Sequence, residues 1–113
     1  MDVKLLTDSI VSKFLEKNPN PMAIRDLEGM HIAVNSAWTQ AVGMSMNGKK
    51  LSDLKSNDPL IQSSLVSCQI FDSLVTTSST VMNETFGFKP YFVLRAPITI
   101  NNKQCLLVQA LPM

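Results

Sequence analysis

The chain is poor in the residues that most often announce a chemistry. It has two cysteines, one histidine and one tryptophan in 113 residues. Cys68 and Cys105 cannot build a disulfide scaffold at this length. Neither lies in a C-x-x-C or Cys/His pattern, and a lone His31 cannot supply a zinc site. The four glycines form no phosphate-cradling loop. No apolar run approaches the roughly 20 residues that span a bilayer. The N-terminal string MDVKLLTDSIVSKFLEK breaks its apolar residues with charges, unlike a signal peptide. These absences point to a cytoplasmic protein in a reducing compartment, without a membrane partner. Ten basic residues against nine acidic leave a net charge of +1. Such a balance does not suit a self-sufficient nucleic-acid binder, which needs clustered cations against phosphate.

What is present is 45% hydrophobic residues, enough for one core in one domain of ordinary size. Residues 3 to 17 predict an amphipathic helix. Val3, Leu6, Ile10 and Phe14 share one stripe, which Val11 and Leu15 widen. Asn18-Pro19-Asn20-Pro21 ends it, because a residue before proline is driven out of the α region. The stripe either covers its own domain or meets a partner chain. With little nearby for it to lean on, a partner is the favoured reading.

Met22–Arg25 and Met30–Val34 predict two strands around Asp26-Leu27-Glu28-Gly29. Asp suits the first turn position and Gly the positive φ of the return. Alternation sets Met30, Ile32 and Val34 on one face and His31 with Ala33 on the other. Asn35 is a predicted N-cap for a helix over Ser36–Val42, with Gly43 ending it. A single helical turn is expected over 49–54. Asp58-Pro59 begins the longest helix, with Leu60, Ile61, Leu65, Cys68, Phe71 and Val75 as its apolar stripe and Val66, Ile70 and Leu74 beside it.

Three strands follow: Val81–Phe86, Tyr91–Ile100 and Gln104–Leu111. Gly87-Phe88-Lys89-Pro90 predicts one turn and Asn101-Asn102-Lys103 another. In the middle strand Phe92, Leu94, Ala96, Ile98 and Ile100 share a face opposite Tyr91, Val93, Arg95, Pro97 and Thr99, and Pro97 marks an edge or bulge. The order predicts an α+β fold: a five-stranded antiparallel sheet, helices packed on one face, and a leading N-terminal helix.

At this point the chain resembles a PAS domain. The resemblance rests on residues 19 to 54. It is carried by Ile24, the Asp26-to-Gly29 turn, Ile32 to Asn35, Trp38, Gly43 and Gly48-Lys49-Lys50-Leu51-Ser52-Asp53-Leu54. The rest agrees in element order and length. A closer resemblance is to the N-terminal PAS region of transcriptional activators of transfer operons in F-like conjugative plasmids. It rests on the leading helix and the string Asn18-Pro19-Asn20-Pro21-Met22-Ala23-Ile24-Arg25-Asp26. It implies residues 1–18 as a dimer or cap helix and residues 19–113 as the PAS domain. It also implies a homodimer in which Val3, Leu6, Ile10 and Phe14 contribute to the interface, with DNA contacted only through a helix-turn-helix domain that this chain lacks. The ending Leu111-Pro112-Met113 directly after a strand suggests a cut from a longer chain. Other readings are the ligand-sensing PAS domain of a histidine kinase or cyclic-dinucleotide enzyme, and a free-standing adaptor.

Cofactor chemistry is not signalled. The flavin-linked PAS class resembles N-C-R-F-L-Q, and no such string is present. The long helix holds no His for haem, and nothing singles out Met44 or Met82 as an iron ligand. No nucleophile–base pair surrounds any Ser, so the chain is not read as an enzyme. Asp26, Asp53 and Asp58 read as turn or cap residues. What remains is a space between sheet and helices lined by Met22, Ile24, Trp38, Leu65, Cys68, Phe71, Phe92 and Leu94. Side chains filling it is the plain reading; a small apolar ligand is the alternative.

Overall fold

A computed structural model describes residues 12–42, 46–55, 57–75, 79–86, 89–100 and 102–112. Val3, Leu6, Ile10 and Gly43 lie outside the described residues. Three α-helices are described: α1 (Ser12–Glu16), α2 (Ser36–Val42) and α3 (Pro59–Leu74). A 3-10 turn spans Leu51–Asp53. The strands are β1 (Met22–Asp26), β2 (His31–Val34), β3 (Thr80–Phe86), β4 (Lys89–Ile100) and β5 (Lys103–Pro112). They form one antiparallel sheet in the order β2-β1-β5-β4-β3. Lys89 and Pro90, expected in a turn, pair with Phe86 and Thr85 and belong to β4.

Local chemistry accounts for the joints. Asp26 Oδ1 accepts from the amides of Glu28 and Met30, both at 2.9 Å. Gly29 adopts φ 87°, so the turn closes where a side chain would strain it. Asn35 Oδ1 accepts from the Trp38 amide at 2.9 Å, capping α2, and from the Met22 amide at 3.0 Å. Its amide nitrogen donates to the carbonyls of Leu15, Asn18 and Asn20. One buried side chain thus ties α1, the Asn-Pro segment, β1 and α2 together. Asp58 caps α3 through the Leu60 amide, with Pro59 in the first turn. Asn102 takes φ 65° in the β4–β5 loop. The β3–β4 register begins at Thr80 opposite Arg95, so Pro97 lies past the end of β3 and no β3 ladder bond is lost there.

The sheet divides the core in two. On the inner face Ala23, Val93, Leu106 and Val108 pack against Trp38, Met46 and Val75 from the helical side. On the outer face Met22, Ile24, Ala33, Ile100 and Cys105 pack around Leu15 of α1. Leu15 is fully buried, whereas Phe14 beside it is 61% exposed. The stripe on α3 is less buried than its width suggests. Cys68 and the following Val75 are buried, but Leu60, Ile61, Val66, Ile70 and Leu74 are exposed.

Two expectations about facing are corrected. Alternation placed His31 opposite Val34, on a face with Ala33. The β1–β2 register pairs Ala23 with Val34, Ile24 with Ala33, and Arg25 with His31, with an irregularity between Ile24 and Arg25. That irregularity inserts a residue, reverses the alternation, and turns His31 to the inner face, where it is fully buried. Met22, Ile24, Phe92 and Leu94 were expected between sheet and helices. Met22 and Ile24 instead belong to the outer cluster. Phe92 and Leu94 stand on the opposite side of β4 from inner-face Val93, and Phe92 is 41% exposed. Period-2 alternation separates the two faces of a strand but does not say which one meets the helices.

Candidate functional site

The space between the sheet's inner face and the helices holds an unusual set of charges. Arg25 on β1 and Arg95 on β4 are both completely buried. Arg25 forks onto Asp72 of α3, Nε to Oδ2 at 2.7 Å and Nη2 to Oδ1 at 2.8 Å. Arg95 Nε donates to Asp72 Oδ1 at 2.7 Å. The other end of Arg95 forks onto Glu84 of β3, with Nη2 to Oε1 at 2.9 Å and a second contact from Nη1 to Oε2. Two guanidinium groups therefore face two carboxylates, and the chain of bonds ties four elements together. Fixed fork geometry suits such bidentate pairing.

The protonation states follow. Burial disfavours the charged form of Asp72, but hydrogen bonds and charge from Arg25 and Arg95 outweigh it and hold the carboxyl below its ordinary value. Burial also works against the Arg95 cation, and Glu84 and Asp72 more than compensate, raising its pKa. Asp72 and Arg95 thus each hold their charge at neutral pH. Aromatic rings enclose it: the Arg25 guanidinium carbon lies 5.6 Å from the Trp38 ring centre, and that of Arg95 5.5 Å from Phe71.

His31 completes the inner wall beside Arg25, its cross-strand partner. Its Nδ1 lies 2.8 Å from the Lys49 carbonyl oxygen. A carbonyl only accepts, so Nδ1 carries the proton of this bond. Burial, reinforced by the nearby Arg25 charge, lowers the His31 pKa to about 4. The ring is neutral at pH 7, and Nε2 bears a lone pair. That atom is buried and has no hydrogen-bond partner among the described residues; Arg25 Nη1 is in the same condition. The Trp38 ring stands 6.1 Å from the imidazole, tilted at 55°.

Two hollows adjoin these groups. An open cleft of about 430 Å³ runs past the Asp26–Gly29 turn, Leu51 and Asp72. A smaller pocket of about 100 Å³, as open as the first, lies between α2 and α3. His31, Trp38, Met46, Leu51, Leu65 and Cys68 line it, with Ala41, Val42, Ile61 and Ser64. Of the eight residues expected to share a pocket, Trp38, Leu65 and Cys68 do so. Phe71 lies instead with Glu84 at a separate surface hollow. Met22, Ile24, Phe92 and Leu94 are on the sheet's other side or its exposed end, so the expected lining set is corrected to its helical members. Cys68 is buried, its thiol pKa pushed up to about 11 chiefly by burial, so it is not poised as a nucleophile. Among the described residues no cluster of His, Cys, Asp and Glu has the makings of a metal site. No described helix is long and apolar enough to cross a membrane.

Arg25, Asp72, Arg95 and Glu84 are not singled out by the sequence, and His31 is weighed there only to be set aside as a metal ligand. A trace was there: Arg25 and Arg95 each interrupt an apolar strand, and burial of such a residue requires a counter-charge. The partners stand far off in the chain, so no local spacing marks them.

Comparison with solved structures decides the fold. The PAS domain of BvgS from Bordetella pertussis superposes over 95% of this chain and 86% of its own, with a TM-score of 0.68 and 13% identity. The chain has the PAS fold. The PAS domain of nitrogen regulation protein NR(II) from Vibrio parahaemolyticus matches over 93% of this chain and 99% of that one, at TM-score 0.61 and 20% identity. A phage VqmA in complex with DPO matches over 99% of this chain at TM-score 0.80 and 15% identity. This PAS fold spans only 55% of that VqmA chain. VqmA from Vibrio cholerae, described as a dimer that binds target DNA, matches at TM-score 0.70. No protein-family profile and no curated protein sequence matches the chain.

Proposed function

We propose that this chain is the regulatory and homodimerisation domain of a bacterial transcription regulator, with DNA binding delegated to a helix-turn-helix domain on another segment. The observation that carries this reading is the fit to VqmA, in which a PAS fold of this shape makes up about half of a DNA-binding regulator. Two features support it. The net charge of +1 gives this domain no excess of cations of the kind that phosphate binding draws on. The outer face of the sheet is apolar but incompletely covered: Phe92 pairs with Leu111, and Val81, Phe92 and Leu111 are 64%, 41% and 37% exposed.

In the proposed arrangement residues 1–18 form a dimer helix and residues 19–113 the PAS domain. Val3, Leu6, Ile10 and Phe14 bring the helix stripe against a second copy. The Asn18-to-Asp26 string supports a narrower assignment, a TraJ-like activator of conjugative transfer in F-like plasmids, acting in the cytoplasm. Light scattering on the purified chain tests the dimer. Ile10→Asp is expected to convert a dimer to a monomer, because each buried aliphatic side chain contributes about 1.5–3 kcal/mol. An unchanged mass for the variant would remove the helix from the interface.

A second reading is the sensing domain of a histidine kinase or cyclic-dinucleotide enzyme, favoured by the matches to BvgS and NR(II). The coding sequence downstream of Met113 separates the two: a helix-turn-helix supports the first, a coiled coil followed by a kinase domain the second.

A further inference from the structure

The two edges of the sheet are finished differently. At the β2 edge the chain covers itself. The His31 amide donates to the Lys49 carbonyl at 3.0 Å, the Gly48 amide donates to the His31 carbonyl at 2.8 Å, and Met30 pairs with Lys50. At the opposite edge β3 has β4 on one side and no further strand beyond it. Among the described residues, no backbone hydrogen bond outside the β3–β4 ladder involves residues 80–84. Alternate residues of an edge strand point their N–H and C=O groups away from the sheet. Lysine, proline or a bulge commonly guards such an edge. Residues 80–86 contain no lysine and no proline, and their pairing with β4 runs without a register shift. The one charged residue, Glu84, is buried and turned inward onto Arg95.

A groove of about 340 Å³ adjoins this edge. Leu60, Ser63, Ser67 and Phe71 of α3 line one side of it, and Asn83 and Glu84 of β3 the other. The helical stripe from Leu60 to Phe71 covers about 16 Å at 1.5 Å per residue. About five residues of extended chain span the same length. The small side chains of Ser63 and Ser67 let a second backbone come close to the helix. On the sheet's other face Val81 is exposed, with Leu94 as its neighbour on β4 and no strand on its other side.

We infer that the β3 edge and this groove form a docking site for an extended, uncharged peptide segment of a partner protein, which adds as a sixth strand beside β3. Its backbone pairs with the open edge. Side chains on one of its faces enter the groove and are small, to fit against the two serines. Those on the other face stand beside Val81 and are aliphatic. Charge is disfavoured, because Glu84 is the single charged residue lining the groove and is already paired with Arg95. A second copy of β3 is a poorer fit: its own Glu84 is committed to its own Arg95, so it would leave the groove unfilled. The inference goes beyond the regulatory reading and does not depend on it.

The probe is a capped seven-residue peptide that alternates valine and serine, titrated into the nitrogen-15-labelled chain. The amide resonances of residues 80–84 are expected to shift saturably, and alternate ones to exchange more slowly with solvent. Two further peptides carry N-methyl groups on every serine or on every valine. Only one of these sets of amides can face β3. One methylated peptide should therefore lose at least about ten-fold in affinity while the other binds like its parent. Ser63→Trp, at an exposed position of α3, should weaken the parent peptide by a similar factor while the chain keeps its native spectrum. Resonances of β3 unmoved by millimolar peptide, or equal binding by the two methylated peptides, overturn the proposal. So does slow exchange of the β3 amides in the chain alone that is lost on dilution, which would give this edge to a second copy. Ile10→Asp should leave peptide binding unchanged, so failure of the dimer and failure of this site are read separately.

Discussion

On its inner face the sheet buries two complete guanidinium groups, whereas on its outer face it leaves Val81, Phe92 and Leu111 partly in water. This reverses the arrangement that polarity alone would favour. The inner face tolerates it because Arg25 and Arg95 meet Asp72 and Glu84 in well-formed, largely bidentate geometry. The outer face is held differently, by α1 pressing Leu15 onto Met22, Ile24, Ala33 and Ile100 at one end of the sheet. The comparison teaches that the inner face is specified by paired charge, which fails abruptly when one partner is removed. The outer face is specified by area, which is lost in proportion.

The sharpest way to break the comparison is Asp72→Ala. Both arginines would lose a carboxylate while remaining buried, an expected loss of about 3–5 kcal/mol. Urea unfolding would show it as a lower midpoint at unchanged slope. A cost below about 1 kcal/mol would mean that water reaches the network and that the inner face is not set by charge pairing.

Acid provides an intermediate test. His31 has its pKa lowered to about 4 in the folded chain, against an ordinary 6.5. The unfolded chain therefore takes up a proton first, and stability falls as pH drops from 6.5 toward 4. Linkage gives a loss of about 2 kcal/mol between pH 7 and pH 5 from this group alone. His31→Phe should flatten that part of the pH–stability curve. Asp72, whose pKa is lowered, adds a loss only at more acidic pH, as its carboxylate protonates. A wild-type midpoint constant from pH 7 to 5 would show that His31 is not held neutral.

The smallest effect is expected on the outer face. Phe92→Ala at low protein concentration should change monomer stability by no more than about 0.5 kcal/mol, because the ring is partly exposed already. The same variant should weaken self-association if this face meets a second copy, as light scattering across a dilution series would read. A monomer destabilised as strongly as by Asp72→Ala would erase the distinction between the two faces.

Much of the frame was legible in advance, for local reasons. The Asp26–Gly29 turn, the Asn35 and Asp58 caps and the positive-φ Asn102 each depend on a side chain meeting its own neighbouring backbone. Alternation correctly divided β4 into two faces. It did not say which face was inside, because Phe92 and Leu94 are as apolar as Tyr91 and Val93. His31 was misplaced because a single irregularity in the β1–β2 pairing reverses parity, and no residue type announces it.

The chain's own pattern of caps, turns and period-2 runs was sufficient for the antiparallel α+β frame, since those preferences act within a few residues. The candidate site was decided elsewhere. Asp72 finds Arg25 across 47 positions and Arg95 across 23, and Glu84 reaches Arg95 across 11. His31 becomes a buried acceptor only after β2 has paired with β1 and the Gly48–Lys50 segment has closed over it. Buried charge and unmet lone pairs are properties of which elements meet, and their energies exist only once tertiary packing has excluded water.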